Sequence, residues 1–270
     1  MWRRNICCLS IMLLLPAIVL SCSDVDHDLY VWDDSMISYN DSAALRLSID
    51  VCSESKNRNK SVAVFGGSLS SNVESYYATH LWEKHLGVRV VRYGQGGYGF
   101  SILQGSVQSQ VDNAKVHDIY ILWASTNDYT MLREPGEPDD YTEVDGYDAQ
   151  MRATQCGGMN YCIKRLREIN PNATIYVFGS LKFFVAGGYE KESSSCNELG
   201  YNFYHYVEKQ KEVAERQGVL FFNQFDIPCN TFENSFSYYK EDRFHMTANG
   251  YANIGVYQLY FLATEKELLE

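Results

Sequence analysis

SVAVFGGSLS, residues 61–70, packs three kinds of chain into ten residues. Its first part is a continuous apolar run rich in β-branched side chains, the composition of a strand buried on both faces. Gly66-Gly67 breaks that run, and from Ser68 a helical pattern continues to Leu86-Gly87. The same order recurs down the chain. VRVVRY (88–93), DIYILWA (118–124), ATIYVFGS (173–180) and VLFFNQ (219–224) read as further strands. The helical stretches between them include residues 146–170, which end at Asn170-Pro171, and residues 199–218, which end at Gly218. Proline and glycine at those points suit helix termination. Short apolar strands alternating with helices predict an α/β fold, a buried parallel sheet covered on both faces. In such sheets ligands bind beyond the carboxyl ends of the strands.

Three polar islands fall at that edge: FGGSLS (65–70), YGQGGYG (93–99) and STND (125–128). A fourth, DRFH (242–245), precedes a final helix expected at roughly 247–263, whose packing returns His245 to the same rim. Turns need no Ser, Asn or Asp-x-x-His. Acyl transfer does: a serine hydroxyl is a weak nucleophile and needs a base in hydrogen-bond reach, held in one tautomer by a third group. Ser68, His245 and Asp242 supply those roles, and a spacing of three lets the carboxylate reach the far imidazole nitrogen. The oxyanion formed on attack needs preorganised donors. The backbone N–H groups of Ser68 and Gly97 and the Asn127 amide are the candidates.

These four blocks resemble those of the SGNH hydrolases, also called GDSL esterases/lipases, over residues 60 to 265. The nucleophile block is Gly66-Gly67-Ser68-Leu69-Ser70, the glycine block Gly94-Gln95-Gly96-Gly97, the asparagine block Ser125-Thr126-Asn127-Asp128 and the histidine block Asp242-Arg243-Phe244-His245. Met246-Thr247-Ala248-Asn249-Gly250-Tyr251 is similar to the family's continuation after the histidine. The resemblance implies a flavodoxin-like, three-layer α/β/α sandwich with a mostly parallel five-stranded sheet. It further implies ester hydrolysis through an acyl-enzyme without metal or other cofactor, Ser68 at a helix start, and Gly97 rather than Gly96 as the backbone donor. Two positions depart from the pattern: Gly67 stands where the family usually has Asp, and Ser125 where it usually has Gly.

The first 21 residues carry Arg3 and Arg4, an apolar stretch from Ile11 to Leu20 and then small residues, the layout of an export signal. Val19-Leu20-Ser21-Cys22 resembles a bacterial lipobox, which implies lipidation of Cys22 and a chain held on a membrane by acyl groups. The expected division is a signal at 1–21, a tether and lead-in segment at 22–59 containing a helix over 41–55, and a hydrolase domain at 60–270. Removing Met1 to Ser21 takes away two arginines and no acid, leaving 21 basic against 34 acidic residues, a net of −13. Nucleic acid is excluded as a partner on that balance. Past Cys22 the cysteines are Cys52, Cys156, Cys162, Cys196 and Cys229, with no C-x-x-C pair, which argues against zinc. Gly94 to Gly99 also satisfies G-x-G-x-x-G, but after the second strand rather than the first, out of place for a dinucleotide site.

Remaining candidates read as structural. Asp128 is expected to cap the segment after it, Trp123 to pack in the core, His205 to lie half exposed on a helix, and His80, His85 and His117 to sit in or beside core elements. Tyr98, Tyr129, Tyr141, Tyr189, Tyr238 and Tyr239 fall in predicted rim loops, where tyrosine stacks on sugar rings. Loops at about 129 to 147 and 181 to 197 are expected to shape the acyl and leaving-group pocket. The resulting expectation is an exported, lipid-anchored serine esterase that removes short acyl groups, O-acetyl from a glycan above all. Its rivals are a lipase or thioesterase of the same fold and a non-catalytic glycan-binding lipoprotein.

Overall fold

The structure, a computed structural model, describes residues 34–37, 41–71, 75–102, 105–141, 151–185 and 187–268. The expected signal segment, the tether and Cys22 lie outside them. Five strands, β1 (Ser61–Gly66), β2 (Arg89–Arg92), β3 (Ile119–Trp123), β4 (Thr174–Phe178) and β5 (Leu220–Phe222), form one sheet in the order β2-β1-β3-β4-β5. Every pairing is parallel. The observed strands are the expected runs trimmed at their ends.

The helices are α1 (Ser42–Cys52), α2 (Ser68–Ser71), α3 (Tyr76–Leu81, continued by a π turn to Leu86), α4 (Val107–Asp112) and α5 (Asn127–Thr130). They continue with α6 (Gln155–Ile169), α7 (Phe203–Gln217), α8 (Ser235–Tyr238) and α9 (Ala248–Thr264). Alternate side chains of each strand face opposite layers, as a pleated strand requires. Ala63, Phe65, Tyr120, Leu122, Ile175 and Val177 pack with α4, α6 and α7. On the other face Trp123 and Phe178 meet Trp82 of the α3 extension, and Tyr176, Phe178 and Phe222 meet Phe261 of α9. That is the expected α/β/α sandwich. Trp123, 1 % exposed, is a core residue as its sequence position predicts.

Helices α6 and α7 start later than the sequence pattern suggests, at capping residues. Thr154 Oγ1 accepts the N–H of Gly157 at 3.0 Å, and Asn202 Oδ1 accepts that of His205 at 2.9 Å. The lead-in segment, set apart at residue 60 on sequence grounds, is tied into the sandwich. Buried Asn57 donates to the Tyr176 hydroxyl at 2.7 Å and to the Leu262 carbonyl at 2.8 Å, and Ser48 Oγ donates to the Val256 carbonyl at 3.1 Å. The five cysteines among the described residues are free thiols, four buried and Cys196 exposed.

From β1 the chain moves first to one side, to β2, and then to the other, to β3. The crevice at such a reversal, outside the carboxyl ends of the strands, is where open α/β sheets bind ligands.

Candidate active site

Ser68 is the first residue of α2, directly beyond β1. Its N–H is one of the groups that a helix start leaves without a helical acceptor. His245 lies in a tight hairpin between α8 and α9, closed by an antiparallel bridge between Tyr239 and Met246. The hairpin is pinned by Lys240 N–H donating to the His245 carbonyl at 2.7 Å and Thr247 N–H donating to the Tyr238 carbonyl at 2.9 Å. Thr247 then caps α9 by accepting the N–H of Gly250. The tip carries Arg243 in a left-handed conformation, φ +59°.

This hairpin returns the histidine to the serine across 177 positions of sequence: His245 Nε2 lies 3.0 Å from Ser68 Oγ. His245 Nδ1 lies 2.6 Å from Asp242 Oδ2. Asp242 Oδ1 accepts the N–H groups of Phe244 and His245, both at 2.9 Å. Partial burial pushes the Asp242 carboxyl up, but the donors of His245 and Phe244 outweigh it and hold the group below the usual carboxylate value. An ionised Asp242 fixes the proton on Nδ1 and leaves the Nε2 lone pair facing the hydroxyl. Half-exposed His245 and Asp242 make the site open to solvent.

The donor side is built by the loop after β2 and the start of α5. Gly97 adopts φ +80°, a region that disfavours any side chain, and a Cβ there would find only Met131 Cε, at 3.8 Å. Asn127 Nδ2 donates to the Tyr98 carbonyl at 2.8 Å, and Ser125 Oγ donates to the same oxygen at 3.0 Å. Gly67, beside the serine, is packed against this pair. A Cβ on it would sit 2.7 Å from Asn127 Nδ2, 2.7 Å from the Tyr98 carbonyl oxygen and 2.8 Å from Ser125 Cβ. The two departures from the family pattern are therefore neighbours in space: the missing side chain at 67 makes room for the extra one at 125.

Asp128 corrects one expectation. It caps no helix. Its carboxylate, 1 % exposed, reaches across to accept the N–H groups of Phe100 at 2.8 Å and Ser101 at 3.1 Å. Burial raises its pKa, and those donors, with Arg133, oppose the rise. Ser125, Asn127 and Asp128 together grip the glycine loop from below. Sequence inspection misses this role because the two loops meet only in the folded chain.

The tyrosines correct another. Tyr129 is buried among Phe183, Phe203 and Tyr206. Tyr141 packs on Tyr161. Tyr238 donates to Asp41, and Tyr239 donates to the Lys182 carbonyl at 2.8 Å. Of the six rim candidates, Tyr98 and Tyr189 keep partly open rings. The loop after β4, expected to shape the pocket, also braces the hairpin: Phe183 stacks on Phe244 at 4.6 Å, and Phe184 N–H donates to the Arg243 carbonyl at 3.0 Å. Part of the other expected loop, 142–147, lies outside the described residues. His205 is half-buried and stacks on Tyr201, and His117 is buried below the sheet's other edge.

Comparison with known proteins agrees with this architecture. The solved structure of a protein from Lactobacillus plantarum is 17 % identical with a TM-score of 0.57, covering 76 % of this chain and 97 % of that one. A protein of Chitinophaga pinensis described as a possible lipase is 16 % identical with a TM-score of 0.55, covering 73 % and 95 %. An acetyl xylan esterase from Geobacillus stearothermophilus is 14 % identical with a TM-score of 0.51, covering 79 % and 98 %. These likenesses concern the fold. No curated protein matches the chain. The family model described as GDSL-like Lipase/Acylhydrolase family matches residues 63–252, most of the chain, with all four polar islands and the start of α9. The chain belongs to the GDSL-like lipase/acylhydrolase family.

Proposed function

We propose that this acylhydrolase is a serine esterase that removes short acyl groups, chiefly O-acetyl, from a carbohydrate, and that it works from a membrane surface to which Cys22 anchors it. The observation that carries the chemistry is the unbroken hydrogen-bond series Asp242–His245–Ser68, with separations of 2.6 and 3.0 Å. In the first half-reaction Ser68 Oγ attacks the ester carbonyl carbon while its proton passes to His245 Nε2. The carbonyl oxygen takes the negative charge and faces the N–H groups of Ser68 and Gly97 and the Asn127 amide. Collapse breaks the bond to the alcohol oxygen, which receives the proton from Nε2. Water then repeats the sequence on the acyl-serine and releases the acid. Asp242 stays ionised throughout and stabilises the imidazolium.

The preference for short acyl groups is supported by the open surroundings of His245 and Asp242, which are half exposed rather than at the end of an enclosed apolar channel. The carbohydrate reading is supported by the fold likeness to an acetyl xylan esterase and by exposed aromatic rings on the same rim. Turnover of 4-nitrophenyl acetate and of acetylated oligosaccharides is expected to fall by about 10³-fold or more in Ser68→Ala. A fluorophosphonate is expected to label the peptide that contains Ser68. Undiminished hydrolysis in Ser68→Ala, or label mapped to another residue, refutes the mechanism. Sugar binding with no serine-dependent hydrolysis favours the non-catalytic rival.

A further inference from the structure

We propose that Tyr189, Phe232 and Phe236, backed by buried Phe184 and joined by Arg243, form a subsite for the sugar ring of the alcohol that is released. This rests on the esterase reading of Ser68 and extends it by naming where the leaving group lies. The reasoning starts from proton transfer. His245 Nε2 takes the serine proton and gives it to the departing oxygen, so that oxygen must come close to Nε2. The carbonyl oxygen meanwhile faces Gly97 and Asn127. The alcohol part of the ester therefore leaves on the side of the histidine hairpin, and whatever holds it adjoins that hairpin.

The aromatic surface meets this condition. Phe184 and Tyr189 follow β4, and Phe232 and Phe236 follow β5, so all four stand at the carboxyl edge of the sheet. The sheet order sets them on the opposite flank from the glycine loop after β2. Arg243, two residues before His245, lays its guanidinium over the Phe236 ring at 4.2 Å, and its carbonyl accepts the Phe184 N–H. The rings are continuous: Phe184 stacks on Tyr189 at 5.6 Å, Tyr189 meets Phe232 at 5.5 Å, and Phe232 meets Phe236 edge-on at 5.5 Å.

Their exposure identifies the occupant. Phe236 is 64 % exposed and Phe232 46 %, so a patch of apolar surface faces water beside a hydrolytic centre. An acyl chain needs enclosure to be held. A pyranose needs a flat ring against its C–H face and a donor for its hydroxyls, and the phenyl rings and the Arg243 guanidinium offer both. Among the described residues one side-chain oxygen, Ser235 Oγ at 3.3 Å, accepts from that guanidinium, whose five N–H groups exceed that single acceptor.

The test uses calorimetric binding of mono-O-acetylated methyl glucoside, galactoside and xyloside to the full Ser68→Ala chain, with and without Phe236→Ala or Phe232→Ala added. Loss of either ring is expected to raise Kd for at least one pyranoside about tenfold, the effect of removing one stacking partner. In chains with Ser68 intact, kcat/KM for that pyranoside is expected to fall by a similar factor relative to kcat/KM for 4-nitrophenyl acetate. Val116→Ala, a change at a 69 % exposed residue on the amino edge of the sheet, moves neither quantity. Unchanged Kd across the panel, no measurable binding of any pyranoside, or an equal fall on both esters overturns the subsite. A changed preference among acyl chain lengths overturns it too, because it seats the acyl group on these rings. Turnover that survives Ser68→Ala is a different result and refutes the esterase reading instead.

Discussion

Gly67 decides how tightly Ser68 and the Asn127 amide are coupled. Any Cβ at that position displaces Asn127 Nδ2, the Tyr98 carbonyl or Ser125, each of which would stand under 3 Å away. In the proposed mechanism the Asn127 amide is an oxyanion donor, and the Tyr98 carbonyl holds it in place, so the cost is expected in catalysis. Gly67→Ala is expected to lower kcat on 4-nitrophenyl acetate by about 10²-fold, the loss seen when one oxyanion donor is misplaced. Adding Ser125→Gly removes one of the three collisions, and the double variant is expected to recover part of that loss. Steady-state kinetics on the four chains of the cycle measure the coupling; strictly additive effects contradict the packing argument. Sequence reading singles out Ser68, Asn127, Asp242 and His245 because each stands in a short polar island, the first two directly after apolar runs and the last two just before a helical one. The complementarity of 67 and 125 escaped it, and so did the grip of Asp128 on Phe100 and Ser101. Both require the approach of loops that no spacing encodes.

Among the elements, α1 shows where a boundary read from sequence and one read from packing part company. The strands were legible because a buried parallel strand is a run of β-branched and aromatic residues, and five such runs are there to see. The lead-in helix has no run of that kind, and its ties are made by single polar residues. Buried Asp41 accepts the hydroxyls of Tyr257 at 2.7 Å and Tyr238 at 3.1 Å, and Asn57 joins β4 to α9. Tyr238 also accepts the Thr247 N–H within the histidine hairpin, so α1 bears indirectly on the site. A chain cut to begin at residue 60 leaves the Tyr176, Tyr238 and Tyr257 hydroxyls and the Leu262 carbonyl without these partners. Each such group costs about 1–3 kcal/mol. The truncated chain is expected to melt at least about 10 °C below the full one, since 1 kcal/mol moves Tm by about 2–4 °C at this size. Scanning calorimetry checks it, and an unchanged Tm means that α1 is an appendage after all. Tyrosine misled for a related reason. Its ring suits a core and its hydroxyl suits a rim, so composition cannot tell buried Tyr239 from partly open Tyr189.

Across the whole molecule the sheet separates chemistry from acid sensitivity. The candidate site occupies the carboxyl edge; His117 sits at the amino edge, just before β3, buried between the ring edges of Tyr93 and Tyr120. Both of its ring nitrogens are buried and lack hydrogen-bond partners among the described residues. Burial lowers its pKa from the ordinary 6.5; Lys115 lowers it further, and Asp118 pulls the other way without reversing the sign. Above that ordinary value both the native and the unfolded chain carry a neutral ring, and His117 contributes no pH dependence. As pH falls below it the unfolded chain binds a proton that the native ring resists, so stability declines until the native value is reached. Each pH unit in that window takes away at most about 1.4 kcal/mol. The lowered carboxylates Asp118, Asp242 and Glu265 act later: their folded-state stabilisation is intact above their ordinary values near 4 and is lost as pH falls through the lowered ones. In the interval between the two regimes Asp128, whose pKa burial raises, works the opposite way by binding a proton in the folded chain, so comparison with a chain lacking the imidazole isolates the histidine's share. Urea unfolding at pH 7.5 and pH 5.0 is expected to show a change in stability on acidification that is less favourable for the unsubstituted chain than for His117→Leu, which presents no basic nitrogen to the same apolar site. The candidate site lies at the other edge of the sheet, so the turnover proposed for Ser68 is expected to be the same in both chains at pH 7.5. Equal changes in stability on acidification would mean that the unpaired imidazole is not what resists the proton.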